Sequence, residues 1–364
     1  MEYTVKCSRC GRERRDYREW RCECNAPFNV VLEGDFYIEG IDNKNYTVWR
    51  YRRFYPYIKE NSIISLGEGF TPLVRVENNL WFKLDFLMPT GSYKDRGSSI
   101  LVSGLLSDFK EVRGVSEDSS GNAGASIAAY CAKAGLKAKI FVPEKASGPK
   151  LLQIGKYGAE VYIVKGKREN VSIAAQNVKD GFIYVGHIWH PYFKDGVRTL
   201  AYEVAEQMEW RMFDKIFLPV SAGTLLLGLI NGFIHLLNSG VINTIPKIIA
   251  CQTSQVSPLY HKIKGIKYTP PERILSVADA LVSTNPPLLE EMFVKIKEID
   301  GDAVIVDEDE IIHAHNVLAK RGFYVEPSSA VAYAAYLKYL KEKELSKTEK
   351  TLIILTGSGF KSTF

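Results

Sequence analysis

The chain has 364 residues, 46% hydrophobic and 24% charged, which is the composition of a folded globular protein and excludes a disordered or collagen-like chain. Lys plus Arg number 47 and Asp plus Glu 42, and the net charge of +5 is too small an excess at this length to predict a nucleic-acid partner. No run of ~18 uninterrupted apolar residues occurs, and the opening MEYTVKCSRCGRERR has no apolar core, so a cytoplasmic protein with no membrane partner is expected.

Four of the six cysteines, Cys7, Cys10, Cys22 and Cys24, stand at the start of the chain. Cys7-x-x-Cys10 followed by Gly11 has the spacing of a metal knuckle, whereas Cys22-x-Cys24 is one residue short of the usual zinc ribbon. Two readings stand side by side: a structural zinc site on these four thiols, or reduced cysteines in a degenerate ribbon. Arg12, Arg14, Arg15 and Arg18 read as a solvated basic face rather than a nucleic-acid patch. Cys131 and Cys251 read as core residues. An irregular, Tyr-rich stretch around 40–62 reads as a linker.

From about residue 110 short apolar runs alternate with helical patterns. Strands are predicted at 137–143, 159–166, 181–187, 214–220, 245–252, 302–308 and 351–357. These runs are continuous rather than alternating, as expected of parallel strands covered on both faces. Helical patterns fall at 148–158, 198–209, 224–237, 307–320 and 328–343. Alternation of this kind implies right-handed βαβ units and a doubly wound α/β fold in two lobes.

In such folds ligands lie beyond the carboxyl ends of strands. Four junctions there are rich in Gly and Ser. In PTGSYKDRG, from Pro89, Lys94 falls at a helix start, where a cation is electrostatically disfavoured; it is either a surface lysine paired with Asp95 or an amine neutralised as an imine or beside an anionic cofactor. In SSGNAGAS, Ser119, Ser120, Gly121 and Asn122 cap a helix of small residues and offer backbone amides to a carboxylate or phosphate. In LPVSAGTLLLG, Ser221, Ala222, Gly223 and Thr224 let a phosphate approach a helix N-terminus; no Gly-Lys-Ser/Thr ending of a nucleotide loop follows. In LTGSGFK, Thr356 stands at the end of the last strand.

Together with LGEGFTPL at 66–73 and EPSSA at 326–330, these segments match one family in order and spacing. From about residue 60 onward the sequence resembles the fold type II pyridoxal-phosphate enzymes, and among them the threonine synthases. The resemblance implies that Lys94 carries pyridoxal phosphate and moves protons. It places Asn122 on the phenolic oxygen, Ser221, Ala222, Gly223 and Thr224 around the phosphate, and Thr356 on the pyridine nitrogen. Ser119, Ser120 and the amide of Ala123 would take the carboxylate of a small amino-acid substrate. The implied reaction turns O-phospho-L-homoserine and water into L-threonine and phosphate, a lyase reaction on a homodimer. It further implies three divisions: a cysteine-rich segment over 1–40, a large cofactor lobe from 41–96 and 196–364, and a small lobe over 97–195.

The match departs from the threonine synthases where substrate phosphate should bind. His190 and Phe193 stand where relatives carry Asn and a phosphate-binding Arg; Lys194 and Arg198 are the near substitutes. Ala123 stands where many have Thr. These departures keep open a threonine/serine dehydratase, or another replacement enzyme such as a cysteate synthase, on the same scaffold. Glu326 is a candidate to face the cofactor ring. Glu68 and Thr71 read as structural. His313 and His315 read as surface residues, and His187, His235 and His261 show no ligand spacing.

Overall fold

The computed structural model describes residues 1–109, 111–144, 146, 148–343 and 348–364. In chain order its elements are β1 (Glu2–Cys7), β2 (Phe28–Glu33), β3 (Leu73–Glu77), β4 (Leu80–Leu84), α1 (Lys94–Asp108), β5 (Gly114–Glu117), α2 (Asn122–Lys133), β6 (Lys137–Pro143), α3 (Pro149–Lys156), β7 (Glu160–Val164), α4 (Arg168–Gln176), β8 (Phe182–Tyr184), α5 (Pro191–Val197), α6 (Thr199–Gln207), β9 (Lys215–Pro219), α7 (Thr224–Asn238), β10 (Lys247–Thr253), α8 (Pro258–Lys264), α9 (Leu289–Glu298), β11 (Asp302–Val306), α10 (Glu308–Lys320), α11 (Pro327–Lys343) and β12 (Thr351–Leu355). All seven strands expected from the apolar runs are present. Among the described residues no helix is long and apolar enough to cross a membrane.

The chain forms two compact units, one from Met1–Phe70 with Met88–Thr199 and one from Thr71–Leu87 with Leu200–Phe364. In the first, β1 and β2 make an antiparallel ribbon, and four parallel strands run in the order β7-β6-β5-β8. The mid-strand residues Val115 of β5 and Ile140 and Val142 of β6 are fully buried, as parallel strands require. Helix α5 lies against α1 at close range because small residues face each other there. A Cβ on Gly196 would stand 2.5 Å from the Arg96 carbonyl oxygen, and one on Gly104 would stand 2.4 Å from the Tyr192 ring.

The ribbon is packed into this unit rather than appended to it. Trp20 meets the rings of Tyr184 and Trp189 edge-on, each at 5.2 Å. Arg14, with a side chain only 2% exposed, lies 3.7 Å from Asp108 and over the rings of Tyr17 and Tyr192. This corrects the reading of Arg14 as part of a solvated face. These contacts place 1–70 and 88–96 in one unit with 97–195, a division different from the one expected.

The second unit holds a six-stranded sheet in the order β11-β10-β9-β12-β4-β3, parallel throughout except for β3 against β4. Every residue of β12 is buried, and α11 packs its Ala-rich length on the sheet. Helix α10 begins at a capping box between Asp307 and Glu310. His315 on α10 is buried, against the expectation of a surface position, because Tyr324 and Phe364 cover its ring. His313 is exposed, and Cys131 and Cys251 are buried as expected.

Candidate active site

The first unit presents Lys94 at the first residue of α1. The turn before it is closed by Gly91, at φ 79°, whose N–H donates to the Met88 carbonyl. Asp95 is fully buried: its carboxylate accepts from Thr90 N at 2.7 Å, Thr90 Oγ1 at 2.6 Å and Ser126 Oγ at 2.6 Å. Asp95 therefore ties the turn to α2, and the surface Lys94–Asp95 pair is excluded. Lys94 Nζ lies 2.6 Å from Tyr93 Oη and 5.8 Å from the centre of the Phe193 ring. Among the described residues no carboxylate forms an ion pair with it. A half-buried amine in such surroundings is free to become a covalent anchor.

Helix α2 starts at Asn122, with Gly121 as its N-cap and no capping side chain. The expected Ser/Asn cap is absent, because Ser119 Oγ accepts from the Gly121 N–H at 3.3 Å instead. A Cβ on Gly124 would fall 1.9 Å from the Ser119 carbonyl oxygen, so only glycine lets the turn fold so tightly onto the helix. Asn122 and Ala123 are buried, and Ser119 and Ser120 are half-buried. This 12-residue helix thus begins without a side-chain cap.

Next to these elements stands a pair that the sequence reading passed over. Glu117 ends β5 fully buried; its Oε1 lies 2.7 Å from His187 Nδ1, and its Oε2 accepts from the His187 N–H at 3.1 Å. Burial, reinforced by Asp118, raises the Glu117 pKa well above the usual carboxyl range. Burial, with the fields of Lys94 and Arg168, pushes His187 well below the usual imidazole value. The only local signal was the acidic Glu117-Asp118 just before the Ser- and Gly-rich turn.

In the segment expected to grip a second phosphate, Phe193, His190 and Arg198 serve packing. Phe193 is fully buried, and a Cβ on Gly97 would stand 2.7 Å from its ring. His190 is the N-cap of α5, its side chain accepting from Tyr192 N. Arg198, 3% exposed, donates to the Phe54 carbonyl at 3.0 Å and to Asp195 at 3.1 Å and lies over the Tyr55 ring. It is an internal brace, which corrects its reading as a phosphate ligand. Lys194 is buried in the same helix. Glu68, also fully buried, accepts from Trp49, Ser99, Ser65, Leu66 and Tyr130, the structural role expected of it.

In the second unit the β9 strand ends at Pro219, and Ser221, Ala222 and Gly223 lead to Thr224 at the start of α7. Gly223 is left-handed, at φ 105°, and a Cβ there would meet Met292 Sδ at 2.5 Å. Ser221 Oγ accepts from Ser283 N at 3.4 Å. After β12, Thr356 is 5% exposed and its N–H donates to Ser329 Oγ at 2.8 Å. Glu326 is buried against Gly357, where a Cβ would come within 2.2 Å of its Oε1. Thr71, at the edge of this unit, is held by Asp85 and Glu203.

The four ribbon sulfurs gather within 4.8 Å of one another, Cys7 Sγ 3.4 Å from Cys24 Sγ and Cys10 Sγ 3.6 Å from Cys22 Sγ. Tetrahedral thiolate ligation of zinc at ~2.3 Å per bond puts sulfurs about 3.8 Å apart, so the donor set fits that ion. A backbone hydrogen bond at Cys24, with the Arg12 Nε–H donating to the sulfur at 3.4 Å, lowers the Cys22 thiol to about 6.

Within the first unit the half-buried Lys94 suits an aldehyde, and within the second the glycine-shaped start of α7 suits a phosphate. The comparisons agree. The family of pyridoxal-phosphate dependent enzymes matches residues 64–357. The threonine synthase of Methanocaldococcus jannaschii is 31% identical, with 98% of this chain and 92% of that protein covered. The threonine synthase of Methanosarcina acetivorans is 28% identical, with 98% and 91% covered. Among solved structures, serine racemase from Dictyostelium discoideum superposes with a TM-score of 0.66 at 27% identity, over 79% of this chain and 92% of that one. Motifs, fold and relatives converge, and the chain belongs to the pyridoxal-phosphate dependent enzymes of fold type II.

Proposed function

We propose that the protein is a threonine synthase, forming L-threonine and phosphate from O-phospho-L-homoserine and water. The observation that carries this reading is the match to a relative of that name along 98% of the chain. When bound, pyridoxal phosphate would supply the electron sink that makes the hydrogen on the amino carbon, and then those on its neighbour, acidic. Lys94 carries it, Asn122 holds its phenolic oxygen, Ser221, Ala222, Gly223 and Thr224 its phosphate, and Thr356 its pyridine nitrogen. The substrate carboxylate goes to Ser119, Ser120 and the Ala123 amide at the start of α2. Lys194 is the cation assigned to the substrate phosphate.

Lys94 Nζ takes the α-proton, which is restored to the α-carbon at the end, and carries a β-proton to the γ-carbon once phosphate has left, and its neighbours suit that task. Tyr93 Oη can accept or donate at 2.6 Å, and the Phe193 ring keeps one side dry. With no paired carboxylate, the amine loses its proton without breaking an ion pair. Water then adds at the β-carbon.

The reading extends to zinc on Cys7, Cys10, Cys22 and Cys24, supported by the sulfur spacing. It also extends to a cytoplasmic homodimer, the assembly implied by the resemblance. Borohydride reduction followed by peptide mapping tests the core of the proposal: the reduced cofactor is expected on Lys94, and labelling of any other lysine would refute the assignment. Product analysis separates the dehydratase, which would release ammonia and an oxoacid from threonine or serine and no phosphate.

A further inference from the structure

We propose that His187, held by Glu117, is the acid–base group that protonates the departing phosphate and then activates the incoming water; this rests on the threonine synthase reading above. Four features of the first unit carry the inference. The Glu117 carboxylate grips His187 with both oxygens, one on the ring at Nδ1 and one on the backbone N–H, so the ring cannot turn. The Glu117 side chain is fully buried, while that of His187 is 12% exposed. His187 Nε2 forms no hydrogen bond among the described residues, so the unsealed edge of the ring is its reactive one. The His187 ring packs edge-on against Phe193 at 5.6 Å, and Lys94 Nζ lies 5.8 Å from the same ring, so both proton-transfer groups border one apolar wall.

The proton count of the Glu117–His187 pair closes over a turnover, while Lys94 carries the protons of the α-, β- and γ-carbons. Burial works against an isolated charge on either partner, raising Glu117 and lowering His187, so the resting pair is neutral and holds two protons. One is shared between Oε1 and Nδ1, and the other sits on Nε2. When the bond between the γ-carbon and the ester oxygen breaks, its electron pair stays on that oxygen. The Nε2–H bond breaks and its proton goes to the same oxygen, leaving hydrogen phosphate and a pair of net charge −1. The field of Lys94, which has taken up a substrate proton by then, offsets that charge. In the second half, a water O–H bond breaks, its proton returns to Nε2, and the hydroxyl oxygen bonds to the β-carbon. Glu117 is the positioning residue, and His187 is the group that touches the reacting atoms.

The test compares holoenzyme and His187→Gln, which keeps hydrogen bonding but cannot relay a proton. Exchange of the substrate α-hydrogen in D2O, the step of Lys94, is expected to stay within about threefold of the wild type, while phosphate release falls about 10²-fold or more. Equal loss of both steps, or no loss of phosphate release, would overturn the role of His187. Should His187→Gln fail to take up cofactor, the Glu117→Gln/His187→Gln double variant, which restores an amide–amide pair, carries the same comparison. An independent readout is the ¹⁵N spectrum of histidine-labelled cofactor-free protein at neutral pH. It is expected to show the His187 proton on Nε2; a bare Nε2 with the proton fixed on Nδ1 would overturn the proposal. Absence of phosphate release by the wild-type enzyme would overturn the threonine synthase reading and this role with it, whereas release by both proteins alike would remove the role alone.

Discussion

Gly223→Ala is the sharpest probe of the phosphate turn, because its effect can be worked out from one torsion and one contact. Gly223 sits at φ 105°, where an L-residue with a Cβ is strained by roughly 1–2 kcal/mol. The new methyl would also stand 2.5 Å from the sulfur of the buried Met292, which must shift to admit it. The strain can be expressed in two ways. If the turn keeps its shape, the folded protein loses that stability. If the turn relaxes, stability is kept but the amides no longer converge, and cofactor affinity falls about 5- to 30-fold for the same free energy. Their sum is fixed by the thermodynamic cycle. Urea unfolding of the cofactor-free variant and a cofactor titration by absorbance together should therefore show a combined loss of at least about 1 kcal/mol. A combined loss under about 0.5 kcal/mol would refute the reasoning, since neither the torsion nor the contact would then shape the turn.

Other outcomes follow from neighbouring features. Lys83→Met should cost about 3–5 kcal/mol, because Lys83 and Glu203 form a fully buried ion pair at 2.5 Å, and adding Glu203→Gln should recover part of it; a loss under 1 kcal/mol in the single variant counts against the pair. Gly97→Ala should destabilise by about 1–3 kcal/mol through the Phe193 ring at 2.7 Å, with relief from Phe193→Leu, and urea unfolding checks both. Chelation of the purified protein should release zinc, one ion per cysteine cluster, and lower the melting temperature; Cys22→Ser should melt low without chelator, and an unchanged melting curve in both cases would contradict the zinc site. Trp20→Ala removes two edge-on ring contacts and should cost about 1–3 kcal/mol, detectable as a shift in the urea midpoint.

How much of this was legible in the sequence differs between elements for physical reasons. The seven strands from β6 onward were readable because each is a largely apolar run; in β8 to β12 that run is mostly buried, whereas β7, at the sheet edge, is apolar but exposed. β5 was not, since its four residues Gly-Val-Ser-Glu carry two polar side chains that are buried only because partners distant in the chain satisfy them: Ser116 donates to the Ala175 carbonyl, and Glu117 meets His187. β3 and β4 interleave charges with apolar residues, and Lys83 reads as a surface position until Glu203, 120 residues away, is seen beside it. The glycine-shaped turns at Lys94, Asn122 and Thr224 were legible because they are local and their conformations demand particular residues. The Glu117–His187 pair was not, because spacing along the chain says nothing about two residues 70 positions apart, one ending β5 and the other in the turn after its parallel neighbour β8. Arg198 misled for the converse reason: a cation at the expected place in the sequence was already engaged by Phe54 and Asp195.

The central claim, that phosphate leaves by carbon–oxygen cleavage and water enters at the neighbouring carbon, is tested most directly by turnover of O-phosphohomoserine in H2¹⁸O. The expected result is threonine with the heavy isotope in its hydroxyl group, unlabelled phosphate in equal amount, and neither product from Lys94→Ala. Label in the phosphate with homoserine as the co-product, or turnover that survives the loss of Lys94, would contradict it.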